Sequence, residues 1–151
     1  MFRNFAFGRL IRSLNAFPVK RHTADLAAIK EALRRLKAGR LLLLFGEGTR
    51  TPDGRIAPLQ PGIVMLARKA KVPVIPVVID GAFEAWPRSH KICRFGPIRV
   101  VYGEPMTAGQ IMDLGDKAAA KVLWQRQLRM QHCLRVRYGR KLLTYEERDL
   151  S

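Results

Sequence analysis

The sequence predicts an α/β fold, a mostly parallel sheet flanked by helices, and three observations carry that expectation. Segments of helical spacing alternate with short β-type runs, with no internal repeat and no low-complexity linker. The unbroken apolar run Leu41-Leu42-Leu43-Leu44-Phe45 breaks off into Gly46-Glu47-Gly48-Thr49-Arg50, which reads as a strand covered on both faces that opens into a polar turn. The chain has 151 residues, 48% of them hydrophobic, enough for one domain with its own core. Residues 106–151 are expected to form a C-terminal helical extension of that same domain.

Taken in order, residues 2–14 place Phe2, Phe5, Ala6, Leu10 and Leu14 on one helical face with Arg3, Arg9 and Arg12 elsewhere, a basic amphipathic segment that suits either a membrane surface or the rest of the domain. Pro18 interrupts any helix there, and a short extended piece ends at Arg21. Thr23 is a candidate N-cap with Asp25 in the first turn; Leu26, Ile29, Leu33 and Leu36 then recur at helical spacing until Gly39 supplies the stop. After the 41–50 stretch, Thr51-Pro52-Asp53-Gly54-Arg55 has the composition of a tight turn.

Pro61 can open the next helix, with Ile63, Leu66, Ala67 and Ala70 on one face and an end near Lys71. Residues 72–79 form a β-branched run in which Pro73 and Pro76 forbid full ladder pairing, so an edge or distorted strand is expected. Residues 80–87 read as irregular, anchored by Phe83 and Trp86. Two extended segments, Ile92 to Phe95 and Ile98 to Tyr102, flank Gly96-Pro97. From Asp116 a long basic helix is expected, with Ala120, Leu123, Trp124 and Leu128 as its apolar stripe.

Composition narrows the function classes. Twenty-eight Lys and Arg against twelve Asp and Glu leave a net charge of +16, which attracts polyanions such as anionic lipid headgroups, acidic carrier proteins, phosphorylated substrates or nucleic acid, without choosing among them. No apolar run approaches the ~18 residues of a membrane span, so any membrane association read from this sequence is peripheral. Cys93 and Cys133 lie forty residues apart and His22, His90 and His132 are scattered, so no metal site and no disulfide framework is indicated. Both cysteines are expected as core thiols.

The glycine turn can be tested against phosphate-binding motifs. A P-loop needs Gly-Lys-Ser/Thr after four intervening residues, and neither Gly46 nor Gly48 supplies it. A dinucleotide fingerprint needs a third glycine where Thr51 stands, and Arg68-Lys69-Ala70-Lys71 occupies the place of the ribose-binding carboxylate.

A third pattern fits. Phe45-Gly46-Glu47-Gly48-Thr49-Arg50 resembles the Phe-Pro-Glu-Gly-Thr-Arg block of the glycerophospholipid acyltransferases, the group that includes lysophosphatidate acyltransferase. Phe17-Pro18-Val19-Lys20-Arg21 resembles that family's upstream block ending in arginine, and Gly62, Ala67 and Val72-Pro73-Val74-Ile75-Pro76-Val77 resemble the helix and proline-containing strand that follow. Three blocks in order cover roughly residues 8 to 105. Gly46 departs from the family's usual proline.

The resemblance implies a glycerol-3-phosphate acyltransferase-like fold and acyl transfer from a thioester of coenzyme A or acyl-carrier protein, as co-substrate with no bound cofactor, to the hydroxyl of a glycerol phosphate or lysophospholipid in phospholipid biosynthesis. It further implies peripheral location on the cytoplasmic side of the cell membrane, with anionic lipids, the lysophospholipid acceptor and the acyl donor as partners. By resemblance Arg21 and the turn Glu47, Gly48, Thr49 and Arg50 bind the acceptor, with the arginines on its phosphate. The chemistry agrees, since a guanidinium holds phosphate bidentately and glycine bares backbone N–H groups. Glu47 would orient Arg21, Arg50 or a substrate hydroxyl, or form a structural ion pair.

The family's catalytic block is a histidine followed five residues later by an aspartate, the base on the acceptor hydroxyl and the group that holds its tautomer. It belongs upstream of Arg21, where this sequence has neither residue, and His22 with Asp25 has the wrong spacing. No catalytic residue is therefore assigned. The expectation is that Met1 falls inside the family domain, the chain corresponding to its carboxyl-terminal two-thirds. Two other readings stand beside it: a non-catalytic module of the same fold that binds anionic lipid, and a basic nucleic-acid-binding protein, motivated by charge alone.

Overall fold

The computed structural model describes residues 9, 16–17, 25–87, 90 and 92–145. The segment 2–14 apart from Arg9, together with Arg21 and Thr23, lies outside the described residues. The chain divides into two compact units, residues 1–42 and 43–151.

In the first unit, helix α1 spans Leu26–Lys37. Asp25 is its N-cap, with the carboxylate accepting from Ala28 N–H at 3.1 Å, where Thr23 was the expected cap. A carboxylate there satisfies an orphan N–H and also complements the positive end of the helix. Gly39, at φ +72°, ends the helix as expected. Arg34 and Arg35 grip Glu31 at 2.8 and 2.7 Å, and hydrogen bonds from Arg34 and then Arg35 bring its pKa down to about 2. Arg35 also lies over the Phe17 ring, 4.9 Å from its centroid.

The second unit contains helix α2 (Pro61–Ala70), strand β1 (Val77–Asp80), a single helical turn α3 (Ala82–Ala85), strand β2 (Arg99–Tyr102), helix α4 (Ala108–Leu114) and helix α5 (Asp116–Arg137). Proline at the first position of α2 costs no hydrogen bond, because that N–H has no helical partner. Lys71 closes α2 in the left-handed conformation at φ +57°. Thr107 and Gln110 form a reciprocal capping box on α4.

Helix α5 is the backbone of this unit. Its stripe Ala120, Leu123, Trp124 and Leu128 is buried as expected, and Ala119, Gln131 and Arg135 join it. Val64 and Ala67 of α2, Met106 and Ile111 pack with Ala119, Ala120 and Leu123 as the core cluster. Arg68 makes a two-pronged bridge to Asp116 at 2.7 and 2.9 Å, tying α2 to the start of α5.

The described sheet has two strands, and they are antiparallel where a mostly parallel sheet was expected. Val77 faces Tyr102 and Asp80 faces Arg99, and the pairing runs on through Gly103 N–H to the Pro76 carbonyl and a bridge between Val74 and Met106. Pro73 and Pro76 confine the regular strand to its last four residues because neither can donate to a ladder.

Four further expectations need correction. Residues 41–45 have no ladder among the described residues, and Leu41 and Phe45 are 86% and 71% exposed, because no described strand pairs with this run to bury it. Ile92 to Phe95 likewise stays outside the sheet, which begins at Arg99. Trp86 is half exposed and is not a buried anchor, whereas Phe83 packs as expected, its ring lying against Gly54. Cys93 and Cys133 are exposed thiols, the first on an irregular loop and the second on the outer side of α5.

Candidate functional site

The turn after Phe45 is built by local chemistry. Gly48 adopts φ +72°, a conformation that glycine takes without the Cβ clash of other residues, and its N–H donates to the Phe45 carbonyl at 3.2 Å. Gly46 sits tightly: a Cβ there would come within 2.4 Å of the Leu59 side chain, while the Gly46 carbonyl accepts from Gln60 N–H at 3.0 Å. Thr51 closes the following turn by accepting from Gly54 N–H at 3.0 Å and donating to Asp53, which pairs with Arg55 at 2.7 Å. The segment just before α2 therefore backs the glycine turn from one side.

The predicted site residues separate by role. Thr49 and Arg50 are exposed, as is Gly48. Glu47 is partly buried and turned to the protein: its carboxylate accepts from Ala57 N–H at 2.9 Å. Burial raises its pKa and the Ala57 N–H offsets part of that rise. A backbone N–H is thus the hydrogen-bond donor that the structure supplies to Glu47, a partner the sequence did not suggest. Arg21 lies outside the described residues, and its place relative to this turn is not part of the site described.

What holds Ala57 in place is a set of groups from the far end of the chain. Trp124 Nε1 donates to the Ile56 carbonyl at 3.0 Å, Tyr145 Oη accepts from Ile56 N–H at 3.0 Å, and Gln131 Nε2 donates to the Gly54 carbonyl at 3.1 Å. Tyr145 donates in turn to Gln131 Oε1. Burial holds the Tyr145 phenol above its usual pKa, so it stays a donor. Both backbone groups of Ile56 are thereby clamped, and the next N–H is aimed at Glu47. Sequence reasoning placed Trp124 on the stripe of α5 without its hydrogen bond and missed Gln131 and Tyr145, although Gln131 and Arg135 continue the buried stripe at helical spacing, and polar residues on a buried stripe need partners.

Two outcomes follow locally. Tyr145→Phe is expected to cost about 1–2 kcal/mol, since it strands the Ile56 N–H and the Gln131 amide in a partly buried place. Urea denaturation reads the loss, and amide exchange at Ile56 should quicken selectively. The second concerns pH. A carboxyl whose folded pKa is raised binds protons more readily in the native state, so the stability it contributes is full at low pH and is lost as pH rises through the raised value. Glu47→Gln should flatten the part of the stability profile that falls as pH rises above the ordinary glutamate range; an unchanged slope would show that Glu47 is not the group responsible.

A buried ion cluster lies beyond the end of β1. Asp80, 1% exposed, accepts from Arg135 Nε at 2.7 Å and from Arg140 Nη1 at 2.6 Å, and Glu84 receives both arginines at 2.6 and 2.8 Å. Arg135 also donates to the Lys141 carbonyl at 2.7 Å. All four charged groups hold one another, so the cluster secures the fold, with Asp80 and Arg135 buried and Glu84 at its rim. Surface hollows of about 290 and 260 Å³ are lined by Arg68, Met112, Gly115 and Asp116, and by Met106, Gln110, Asp113, Leu114 and Arg126. Neither includes a residue of the 45–50 turn. Among the described residues no group of three or more His, Cys, Asp and Glu is placed to hold a metal ion, and no helix is long and apolar enough to cross a membrane.

Comparison with known proteins converges on one family. A family model described as Acyltransferase matches residues 1–80, more than half of the 151. A 1-acyl-sn-glycerol-3-phosphate acyltransferase of Bacillus subtilis (strain 168) is 30% identical over 118 residues, covering 78% of this chain and 56% of that protein. One of the same description from Cocos nucifera is 33% identical over 103 residues, 66% of this chain and 33% of its own length. The crystal structure of the 1-acyl-sn-glycerophosphate (LPA) acyltransferase PlsC from Thermotoga maritima superposes with a TM-score of 0.76 at 24% identity, over 95% of this chain and 55% of that one, and shows the shared fold. The chain spans about half the length of the bacterial relative it matches, and about a third of the coconut one.

Proposed function

The chain belongs to the acyltransferase family, and from that premise we propose that its 45–50 turn is the acceptor-binding part of a lysophospholipid acyltransferase site. The acceptor is a lysophosphatidate or a related glycerol phosphate, and the donor an acyl thioester of coenzyme A or acyl-carrier protein. In the reaction the thioester carbon–sulfur bond breaks, an ester bond forms to the acceptor oxygen, and the hydroxyl proton leaves finally with the thiol. Work on such an acceptor belongs at the cytoplasmic face of a membrane, with anionic lipid around the protein.

The observation that carries this reading is the division of labour within the turn. Arg50 and Thr49 are exposed beside a glycine with positive φ, while Glu47 faces inward and is held through Ala57. An exposed arginine suits a phosphate dianion, and an inward carboxylate keeps like charge away from it. Arg21 is the second arginine proposed for the acceptor, by its place in the upstream block, together with the Gly48 backbone.

The chemical step needs a base. No histidine of these 151 residues is followed five positions later by aspartate, which favours a second reading in which this chain binds acceptor without transforming it. Titration calorimetry decides the first point: the chain should bind lysophosphatidate at least ~10-fold more tightly than the matching monoacylglycerol, with Arg50→Ala erasing the difference. Equal affinities, or a preference that survives Arg50→Ala, would overturn the acceptor site. A thiol-release assay with acyl thioester and lysophosphatidate separates the two readings, since turnover would mean that another group supplies the base.

A further inference from the structure

Of the thirteen residues from Trp86 to Ile98, Trp86, Pro87, His90 and residues 92–98 are described, and residues 92–98 lie outside the sheet, which the chain enters at Arg99. Four large apolar side chains in these thirteen positions face water: Trp86, Ile92, Phe95 and Ile98 are 51, 80, 104 and 54% exposed. Single exposed apolar residues are ordinary, but a run of them on one loop marks a binding surface. The loop's described residues are also tied together by hydrogen bonds. Arg94 N–H donates to the Ala85 carbonyl at 2.7 Å, His90 N–H to Pro87 at 3.0 Å, and Trp86 Nε1 to the His90 carbonyl at 3.0 Å. The indole N–H is thus satisfied inside the loop while half of the residue stays outside. On the return limb, Pro97 and Ile98 rest against Gly81.

Charge selects the partner. From residue 87 to residue 103 the sequence has four cations, Arg88, Lys91, Arg94 and Arg99, and no carboxylate. A second copy of this chain docking through the same loop would set these cations against themselves. Nucleic acid would use the cations and leave the aliphatic side chains without a role. A bilayer that contains anionic lipid satisfies both: tryptophan, isoleucine and phenylalanine enter the headgroup boundary, and arginine and lysine stay among the headgroups with their stems covering apolar surface.

We infer that the loop Trp86–Ile98 is the element by which this protein docks on an anionic membrane surface. The inference rests on the membrane location proposed above and names the segment responsible. It lies outside the acceptor turn, so docking and acceptor binding are separable by mutation.

The test is sedimentation of the full chain with lipid vesicles of phosphatidylcholine, with and without phosphatidylglycerol. The expected result is partition onto the anionic vesicles, weakened by salt, with a blue shift of tryptophan emission; Trp124 is buried, so the shift reports Trp86. The double variant Ile92→Ser, Phe95→Ser should lower partition about tenfold or more while melting and lysophosphatidate affinity hold, because both side chains are exposed. Unchanged partition of that variant would overturn the inference and leave the membrane location standing. No partition of the native chain on any vesicle would overturn both. A change of oligomeric state in the variant, or tighter binding to an oligonucleotide than to anionic vesicles, would replace the membrane with another partner.

Discussion

Asp80→Ala is expected to remove about 3–5 kcal/mol from the 43–151 unit, a large part of the stability of a domain of this size. Asp80 is buried, and its two carboxylate oxygens receive Arg135 at 2.7 Å and Arg140 at 2.6 Å. The Arg135 side chain is only 4% exposed, so removal of Asp80 leaves its Nε without an acceptor in a buried place and leaves Glu84 as the single carboxylate against two arginines. The damage comes from that undercompensated buried charge rather than from the lost attraction alone. Asp80→Asn should fall between wild type and alanine, since the amide oxygen still accepts one hydrogen bond. Urea denaturation followed by tryptophan fluorescence measures both, and an alanine variant within 1 kcal/mol of wild type would show that the cluster is solvated after all.

Glu84 adds a pH dependence to the same cluster. Burial pushes its pKa up, but its own backbone N–H, Arg135 and Arg140 together outweigh burial and leave it lowered. A carboxyl lowered in the folded state contributes stability that is full above its ordinary pKa and is lost as pH falls through the lowered value. Glu84→Gln should remove that acid-side loss, in the direction opposite to Glu47→Gln.

Gly81→Ala is the second large effect, expected at about 2–4 kcal/mol. Gly81 has φ +97°, where an L-residue is strained, and a Cβ would lie 2.2 Å from the Pro97 carbonyl oxygen and 3.0 Å from Arg140 Nη1. The first contact is with backbone, which cannot swing aside as a side chain does. Relief therefore moves the return limb of the 86–98 loop or pushes Arg140 off Asp80. For that reason Gly81→Ala and Asp80→Ala should be non-additive, the double variant costing less than the two singles together. Strict additivity in the same urea experiment would show that the methyl group is accommodated without touching the cluster.

The glycine turn was legible because its signals are local. A run of five apolar residues ending in Gly-Glu-Gly-Thr-Arg marks a turn, and its second glycine, Gly48, leaves the ordinary backbone regions at φ +72°. Pro61 opening α2, Gly39 ending α1 and the stripe on α5 are likewise consequences of neighbours in sequence. The burial of Leu41–Phe45 was not legible in the same way. Apolarity says what a segment prefers, while burial depends on whether another element covers it, and among the described residues none pairs with this one.

By itself, then, the sequence determined the three longer helices α1, α2 and α5, the glycine turn, the basic charge and the family blocks, because each depends on spacing within a few residues or on composition. Only the tertiary structure decided that Glu47 answers to Ala57, that Trp124, Gln131 and Tyr145 hold Ile56 and Gly54, and that Asp80 meets Arg135 across 55 positions of chain. Hydrogen bonds and ion pairs of that reach depend on where packed elements bring their side chains, and no periodicity along the chain records it.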